Sequence, residues 1–184
     1  MASVLVPLAN GCEELEAVTI IDLLVRAGVE VVSAGLTAGP VTCSRGVVIT
    51  PVTTLDEVLE REFDMIVLPG GLPGANHLNE DPRIHTLLKK MAAEGRYTAA
   101  LCAAPRVLLS AGVLDGRRAT SYPGSLNDMD TSAIDYREET VVQDGKVITS
   151  RGPGTAMAFA LTLIENLLGR AKRDEVAKGL LFQE

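Results

Sequence analysis

Short apolar runs alternate with helix-period segments from one end of this chain to the other. Ser3 to Leu8, Val29 to Ala34, Asp64 to Leu68 and Tyr97 to Leu101 read as strands. Glu13 to Ala27, Leu55 to Arg61, Arg83 to Glu94 and Pro105 to Ala111 read as the helices between them. Gly28 is a natural stop for the first helix, and Asp81-Pro82 a natural start for the third. Val41 to Thr50, interrupted by Gly46, reads as a small hairpin or edge strands, and Val141 to Ile148 as a hairpin turning at Asp144-Gly145. An apolar helix from Gly154 to Leu168, ended by Gly169, and a last helix near Ala171 to Leu181 complete the pattern.

Strands that alternate with helices specify a mostly parallel sheet covered by helices on both faces, an α/β fold. No linker, repeat or composition shift divides the chain, so residues 1–184 are expected to form one domain. Aromatic residues are 3% of the chain and Trp is absent, so the core must be aliphatic. The formal charge of −7 argues against charge-driven binding to nucleic acid or anionic membrane. No apolar stretch approaches the roughly 20 residues of a membrane span, and the N-terminus lacks a basic, signal-like region. A cytoplasmic protein with its three cysteines reduced is expected.

In such sheets, functional groups gather beyond the carboxyl ends of the strands. That rule directs attention to Ala9 to Glu16, Pro69 to Gly74, Leu101 to Arg106 and Arg151 to Thr155. Cys102 lies in the turn Leu101-Cys102-Ala103-Ala104-Pro105, whose small neighbours permit a sharp reversal from strand to helix. The helix start would favour a thiolate there. The same position also suits a small buried hydrophobe. Glu16 has Ile20, Leu23 and Ala27 as helical neighbours, so its carboxyl would be partly desolvated and its pKa raised. Glu13 shares part of that setting, and both also suit a helix start. Pro69-Gly70-Gly71-Leu72-Pro73-Gly74 lets backbone N–H groups approach a reacting atom, or is a plain turn. It is neither a dinucleotide fingerprint nor a phosphate loop. His77 and His85 have no cysteines at metal-ligand spacing, so no metal is expected. Arg45 and Arg151 sit in Gly-rich loops, where each could steady an anion or simply face solvent. Cys12 and Cys43 carry no motif.

Together these segments resemble the ThiJ/PfpI superfamily, most closely its DJ-one branch and that branch's bacterial-type members. The likeness rests on Gly11-Cys12-Glu13-Glu14-Leu15-Glu16-Ala17-Val18, Arg26-Ala27-Gly28, Val41-Thr42-Cys43-Ser44-Arg45, Val67-Leu68-Pro69-Gly70-Gly71, the Cys102 turn, and Thr149-Ser150-Arg151-Gly152-Pro153-Gly154-Thr155. Each is weak alone; their order and spacing are specific. The resemblance implies a flavodoxin-like three-layer sandwich, a homodimer and no cofactor. It implies Cys102 as nucleophile and Glu16 as its carboxylate partner, with backbone N–H groups from Gly71 and Ala103. Arg45 would approach from across the dimer, with Arg26 beside it.

It further implies action on reactive carbonyls, either small aldehydes such as methylglyoxal or glycated proteins. The rival is a redox sensor or chaperone in which Cys102 becomes a sulfinic acid. A peptidase would need a histidine near the thiol. Animal members of the branch carry one in the segment matching Ser121-Tyr122-Pro123-Gly124, but here that position is Tyr122, so Glu16 would act alone or with a hydrogen bond from Tyr122.

Overall fold

The structure, a computed structural model, describes residues 1–182. In chain order, β1 (Ser3–Leu8), α1 (Glu14–Arg26) and β2 (Glu30–Gly35) are followed by three two-residue strands, β3 (Val41–Thr42), β4 (Val48–Ile49) and β5 (Thr53–Thr54). Next come β6 (Met65–Leu68), α2 (Gly74–Glu80), α3 (Pro82–Ala93), β7 (Tyr97–Leu101) and α4 (Pro105–Ser110). The chain continues with β8 (Arg118–Ala119), β9 (Asp135–Tyr136), β10 (Val141–Asp144), β11 (Val147–Ser150), α5 (Ala156–Leu168) and α6 (Arg170–Gly179).

A seven-stranded sheet in the order β10-β11-β7-β6-β1-β2-β5 forms the middle layer. All its pairs are parallel except the β10–β11 hairpin at one edge. The strands β1, β6 and β7 are buried on both faces, which is why they read as near-continuous apolar runs. One face packs against α1, α5 and α6 through Ile20, Leu24, Phe159, Leu163 and Ile164. The other packs against α2, α3 and α4 through Leu78, Ile84, Leu88, Val107 and Leu108. The core is aliphatic, with Phe159 its largest fully buried side chain. This is the three-layer α/β architecture expected from the alternation.

Asp81 caps α3 as expected: its carboxylate accepts the Arg83 N–H at 2.9 Å, and Pro82 occupies the first turn. The segment Leu55 to Arg61 does not become an α-helix; only Asp56–Val58 closes, as a 3-10 turn. It has two buried anchors, Leu55 and Val58, too few residues to offset helix nucleation. The helix expected from Gly154 begins at Ala156, after a 3-10 turn over Pro153–Thr155. The seven-residue α2 was not anticipated, because it opens on Pro73-Gly74 and buries only Ala75 and Leu78 beyond its first glycine.

The strand order runs outward from β1 to β2 and β5, then returns to β6 on the other side of β1. That reversal opens a crevice beyond the carboxyl ends of β1, β6 and β7. The start of α1 with Glu16 and the loops carrying Gly71 and Cys102 all leave the sheet there.

Candidate active site

Cys102 follows the last residue of β7 and has φ 59°, one of two non-glycine residues with positive φ among those described. For an L-residue this left-handed conformation costs about 1–2 kcal/mol. Such strain persists only where neighbours enforce it. Here the Cys102 N–H donates to the Ser150 carbonyl at 3.1 Å, and the Cys102 carbonyl accepts the Tyr122 N–H at 2.8 Å. Both backbone groups are thus held by strands and loops on either side. The turn aims the thiol into a cleft of about 540 Å³. Glu13, Arg45, Gly71, Tyr122, Ser125 and Pro153 are among its walls. The residue itself is only 8% exposed, so the thiol is reached through the cleft and not from open surface.

Glu16 is fully buried in the first turn of α1. Its Oε2 accepts the Gly70 N–H at 2.8 Å. Its other polar neighbour is the Cys102 thiol, and Oε1 has no partner within ordinary hydrogen-bond limits. Desolvation pushes the Glu16 carboxyl up to about 7; the Gly70 N–H and the thiol oppose this, and the Glu13 charge adds to it. The apolar helical neighbours seen in the sequence therefore have the expected consequence.

The thiol behaves differently from the helix-start expectation. Burial is the main cause that pushes Cys102 up to about 12, and the Glu16 charge and hydrogen bond add to it. The N–H groups of Gly71 and Ala103 pull the other way without winning. α4 has only six residues, so its partial charge is a weak counterweight to burial beside a carboxylate. Carboxyl and thiol are two acids competing for a proton at one place, so they titrate as a pair. When Glu16 holds the proton, its repulsion of the sulfur disappears and the two N–H groups favour the thiolate.

Gly70 and Gly71 are required by this packing. A Cβ on Gly70 would lie 2.6 Å from the Cys102 Cβ and 2.9 Å from Glu16 Oε2. A Cβ on Gly71, whose φ is 89°, would lie 2.4 Å from the Glu13 nitrogen. The Gly71 and Ala103 N–H groups lie near the Cys102 sulfur. Tyr122 lines the same cleft but is half exposed, and its side chain lies over Gly152. Its contribution to the turn is its backbone N–H.

Arg45 reaches the cleft from within its own chain. Its loop is fixed by Glu14, whose carboxylate accepts the Arg45 N–H at 2.9 Å and the Ser44 hydroxyl at 3.1 Å. Arg26 is not brought to the cleft of its own chain. It ends α1, about 15 Å along the axis from Glu16, and pairs with Asp22 at 2.7 Å on the surface. Arg151 donates to the Ser121 carbonyl at 3.4 Å and so braces the loop before Tyr122. His77 and His85 bond to the carbonyls of Asn10 and Asn79, and neither lines the cleft. Among the described residues no cluster of His, Cys, Asp or Glu could hold a metal.

Glu13 has a role the sequence reading missed. Its carboxylate caps α1 by accepting the Glu16 N–H at 2.9 Å, and it also lines the cleft. Glutamate is not among the preferred capping residues, so the usual signal was absent.

The DJ-1/PfpI family model matches residues 2–166. Protein dj-1beta of Drosophila melanogaster is 48% identical over 180 residues, covering 97% of this chain and 96% of that protein. Its crystal structure superimposes with a TM-score of 0.95, covering 100% of this chain and 99% of that one. The glutathione-independent glyoxalase DJR-1.2 of Caenorhabditis elegans is 39% identical, covering 97% of this chain and 95% of that protein. An oxidized DJ-1 of Toxoplasma gondii, 38% identical, superimposes with a TM-score of 0.94 over the whole of both chains. No described helix is long and apolar enough to cross a membrane. The fold, the family model and near-full-length relatives agree: this chain belongs to the DJ-1/PfpI family.

Proposed function

We propose that the protein is a cofactor-independent, cysteine-dependent enzyme acting on reactive carbonyls, of glyoxalase or deglycase type. The observation that carries this is the buried Glu16 carboxyl, pushed up to about 7, beside the Cys102 thiol. A group poised near neutrality can both take and return protons. Glu16 takes the thiol proton as sulfur adds to the aldehyde carbon of methylglyoxal. The N–H groups of Gly71 and Ala103 near the sulfur favour the thiolate that makes the attack. Glu16 passes the thiol's proton to the alkoxide oxygen, giving a hemithioacetal, and is ionised again. It then moves a proton from the former aldehyde carbon to the adjacent carbonyl carbon while the hydroxyl proton shifts to the neighbouring oxygen, giving a thioester. Water cleaves the thioester, releases lactate and restores the thiol. The sum is one methylglyoxal plus one water giving one lactate. A glycated adduct would enter through the same addition. The worm relative's name as a glyoxalase supports this reading. Lactate formation by wild type, Cys102→Ser and Glu16→Gln tests it; a Cys102→Ser protein that turned over at the wild-type rate would refute it.

A second reading, a redox sensor or chaperone, is favoured by the same carboxyl. Protonated Glu16 could donate to a Cys102 sulfinate, which the Gly71 and Ala103 N–H groups would also stabilise. The oxidized Toxoplasma relative is a precedent in kind. Mass spectrometry after mild peroxide decides: two oxygens added at Cys12 or Cys43 in preference to Cys102 would exclude it.

The working form in this proposal is a homodimer in the cytoplasm, where reduced thiols persist. Leu15, Val18 and Val25 share one face of α1 and are about half exposed, as are Val47 and Val48 on the neighbouring hairpin. A second copy covering this apolar face would bury it. Val18→Glu is expected to yield a monomer by sedimentation.

A further inference from the structure

Cys12 and Cys43 take no part in the chemistry above. One precedes α1 and the other follows β3, yet their sulfurs lie 3.5 Å apart. Both are free thiols, 0% and 5% exposed. Two backbone bonds bracket them: the Gly11 N–H donates to the Thr42 carbonyl and the Ser44 N–H to the Cys12 carbonyl, both at 2.8 Å. Segments bonded in this way run at about 4.7–4.9 Å, the spacing of neighbouring strands. A disulfide bridges Cα atoms about 4.4–6.8 Å apart, a range that includes the spacing of segments bonded in this way. Its S–S bond is about 2.05 Å, so the sulfurs need to close by about 1.5 Å. Side-chain rotation and a small shift of the two-residue strand β3 can supply that.

The pair also touches the cleft's support. A Cβ on Gly74 would meet the Cys12 nitrogen at 2.4 Å, and one on Gly71 would meet the Cys12 carbonyl carbon at 2.7 Å. The loop bearing Cys12 is therefore wedged against the loop that offers the Gly71 N–H to Cys102.

We infer that Cys12 and Cys43 form a second redox site, which hydrogen peroxide closes to an intramolecular disulfide and thiol reductants reopen. Cys43, the less deeply buried, attacks peroxide first. Its S–O bond forms as the O–O bond breaks, and the departing hydroxide leaves as water with the thiol's proton. The Cys12 sulfur then attacks the Cys43 sulfur, forming S–S and breaking S–O, and the second hydroxide leaves as water with the Cys12 proton. Two thiols lose two electrons and one peroxide becomes two waters. Burial pushes both thiols above their ordinary range, so few are ionised at neutral pH and closure answers sustained peroxide. Unlike a sulfinic acid, this product is undone by ordinary thiols.

The test uses full-length Cys102→Ser, which leaves only the two cysteines in question. The protein is treated with excess peroxide, alkylated under denaturing conditions and digested without reduction. The expected product is one peptide joining Cys12 to Cys43 within a chain, lighter by two hydrogens and split by dithiothreitol. Alkylatable thiols should fall from two per chain to none. In Cys12→Ala on the same background, Cys43 should stop at a sulfenic acid that dimedone traps. Oxygen added to Cys43 with Cys12 still alkylatable, a disulfide between chains, or two thiols untouched after overnight peroxide would each overturn the inference. Because Cys102 is absent from the tested protein, its own role cannot produce or mask any of these results.

Discussion

Replacing Glu16 by Gln should make the protein more stable at neutral and alkaline pH, and by a pH-dependent amount. In the unfolded chain the carboxyl ionises near 4.5, but in the folded protein burial holds its proton until about 7. Between those values the folded state binds a proton that the unfolded state has lost. Stability must therefore fall as pH rises, by about 1.4 kcal/mol per unit, and level off above 7. Over the whole window the wild type loses about 3 kcal/mol. Gln is nearly the same size, keeps an oxygen for the Gly70 N–H, and carries no charge to desolvate. Its NH₂ can replace the buried Oε1 that has no partner. Urea unfolding followed by circular dichroism, at half-unit steps from pH 5.5 to 8.5, measures both proteins. The stability advantage of Glu16→Gln should grow by about 2 kcal/mol from pH 5.5 to 8 at constant m. An advantage that did not change with pH, or a wild type more stable at pH 8, would mean that Glu16 is not held as a desolvated acid.

The same variant should lose about 10²–10⁴-fold in kcat/KM for methylglyoxal, as removal of a general acid–base group does. In the wild type, kcat/KM should rise with pH and reach half its plateau near 7, because the carboxyl must be ionised to accept the thiol proton; a midpoint near 4.5 would contradict the burial argument. Cys102→Gly should be about 1 kcal/mol more stable than Cys102→Ala in urea melts, since only the alanine keeps a Cβ at φ 59°; equal stabilities would show the turn to be unstrained. Gly70→Ala should cost about 1–3 kcal/mol and slow alkylation of Cys102 by iodoacetamide, because its Cβ would overlap the Cys102 Cβ. Tyr122→Phe should leave kcat/KM within about twofold, the N–H that holds the turn being retained; a tenfold loss would give the hydroxyl a direct part in binding.

The sheet was legible because its central strands are buried on both sides and its helices carry their own stops. Asp81-Pro82 and Gly169 do their local work wherever the chain goes. The elements that were not legible depend on tertiary contacts. α2 exists because Pro73-Gly74 folds against the Cys12 loop, and the 3-10 turn at Asp56–Val58 because Leu55 and Val58 reach the core. At the site, the sequence pointed to loops that the structure gathers around one cleft, since strand ends crowd together in any sheet of this order. It could not reveal the capping by Glu13, the approach of Cys12 to Cys43, or that Arg26 faces away from its own chain's cleft. It also misjudged the thiol. A helix start is visible in sequence, but the carboxylate that opposes it arrives from 86 positions earlier in the chain.

The raised thiol identifies what the turn is built for. A permanently ionised thiol would need only exposure and a positive neighbour. Instead three unfavourable features meet at one point: a left-handed cysteine, a carboxyl with an oxygen lacking a partner, and a thiol pushed up by burial. Each opposes stability. Such a concentration is retained where strain serves chemistry. In the ionised pair the one proton rests on Cys102 and Glu16 is charged; Cys102 becomes nucleophilic as that same proton passes to Glu16. The reactivity therefore belongs to the pair, and a variant at either residue should alter the titration of both.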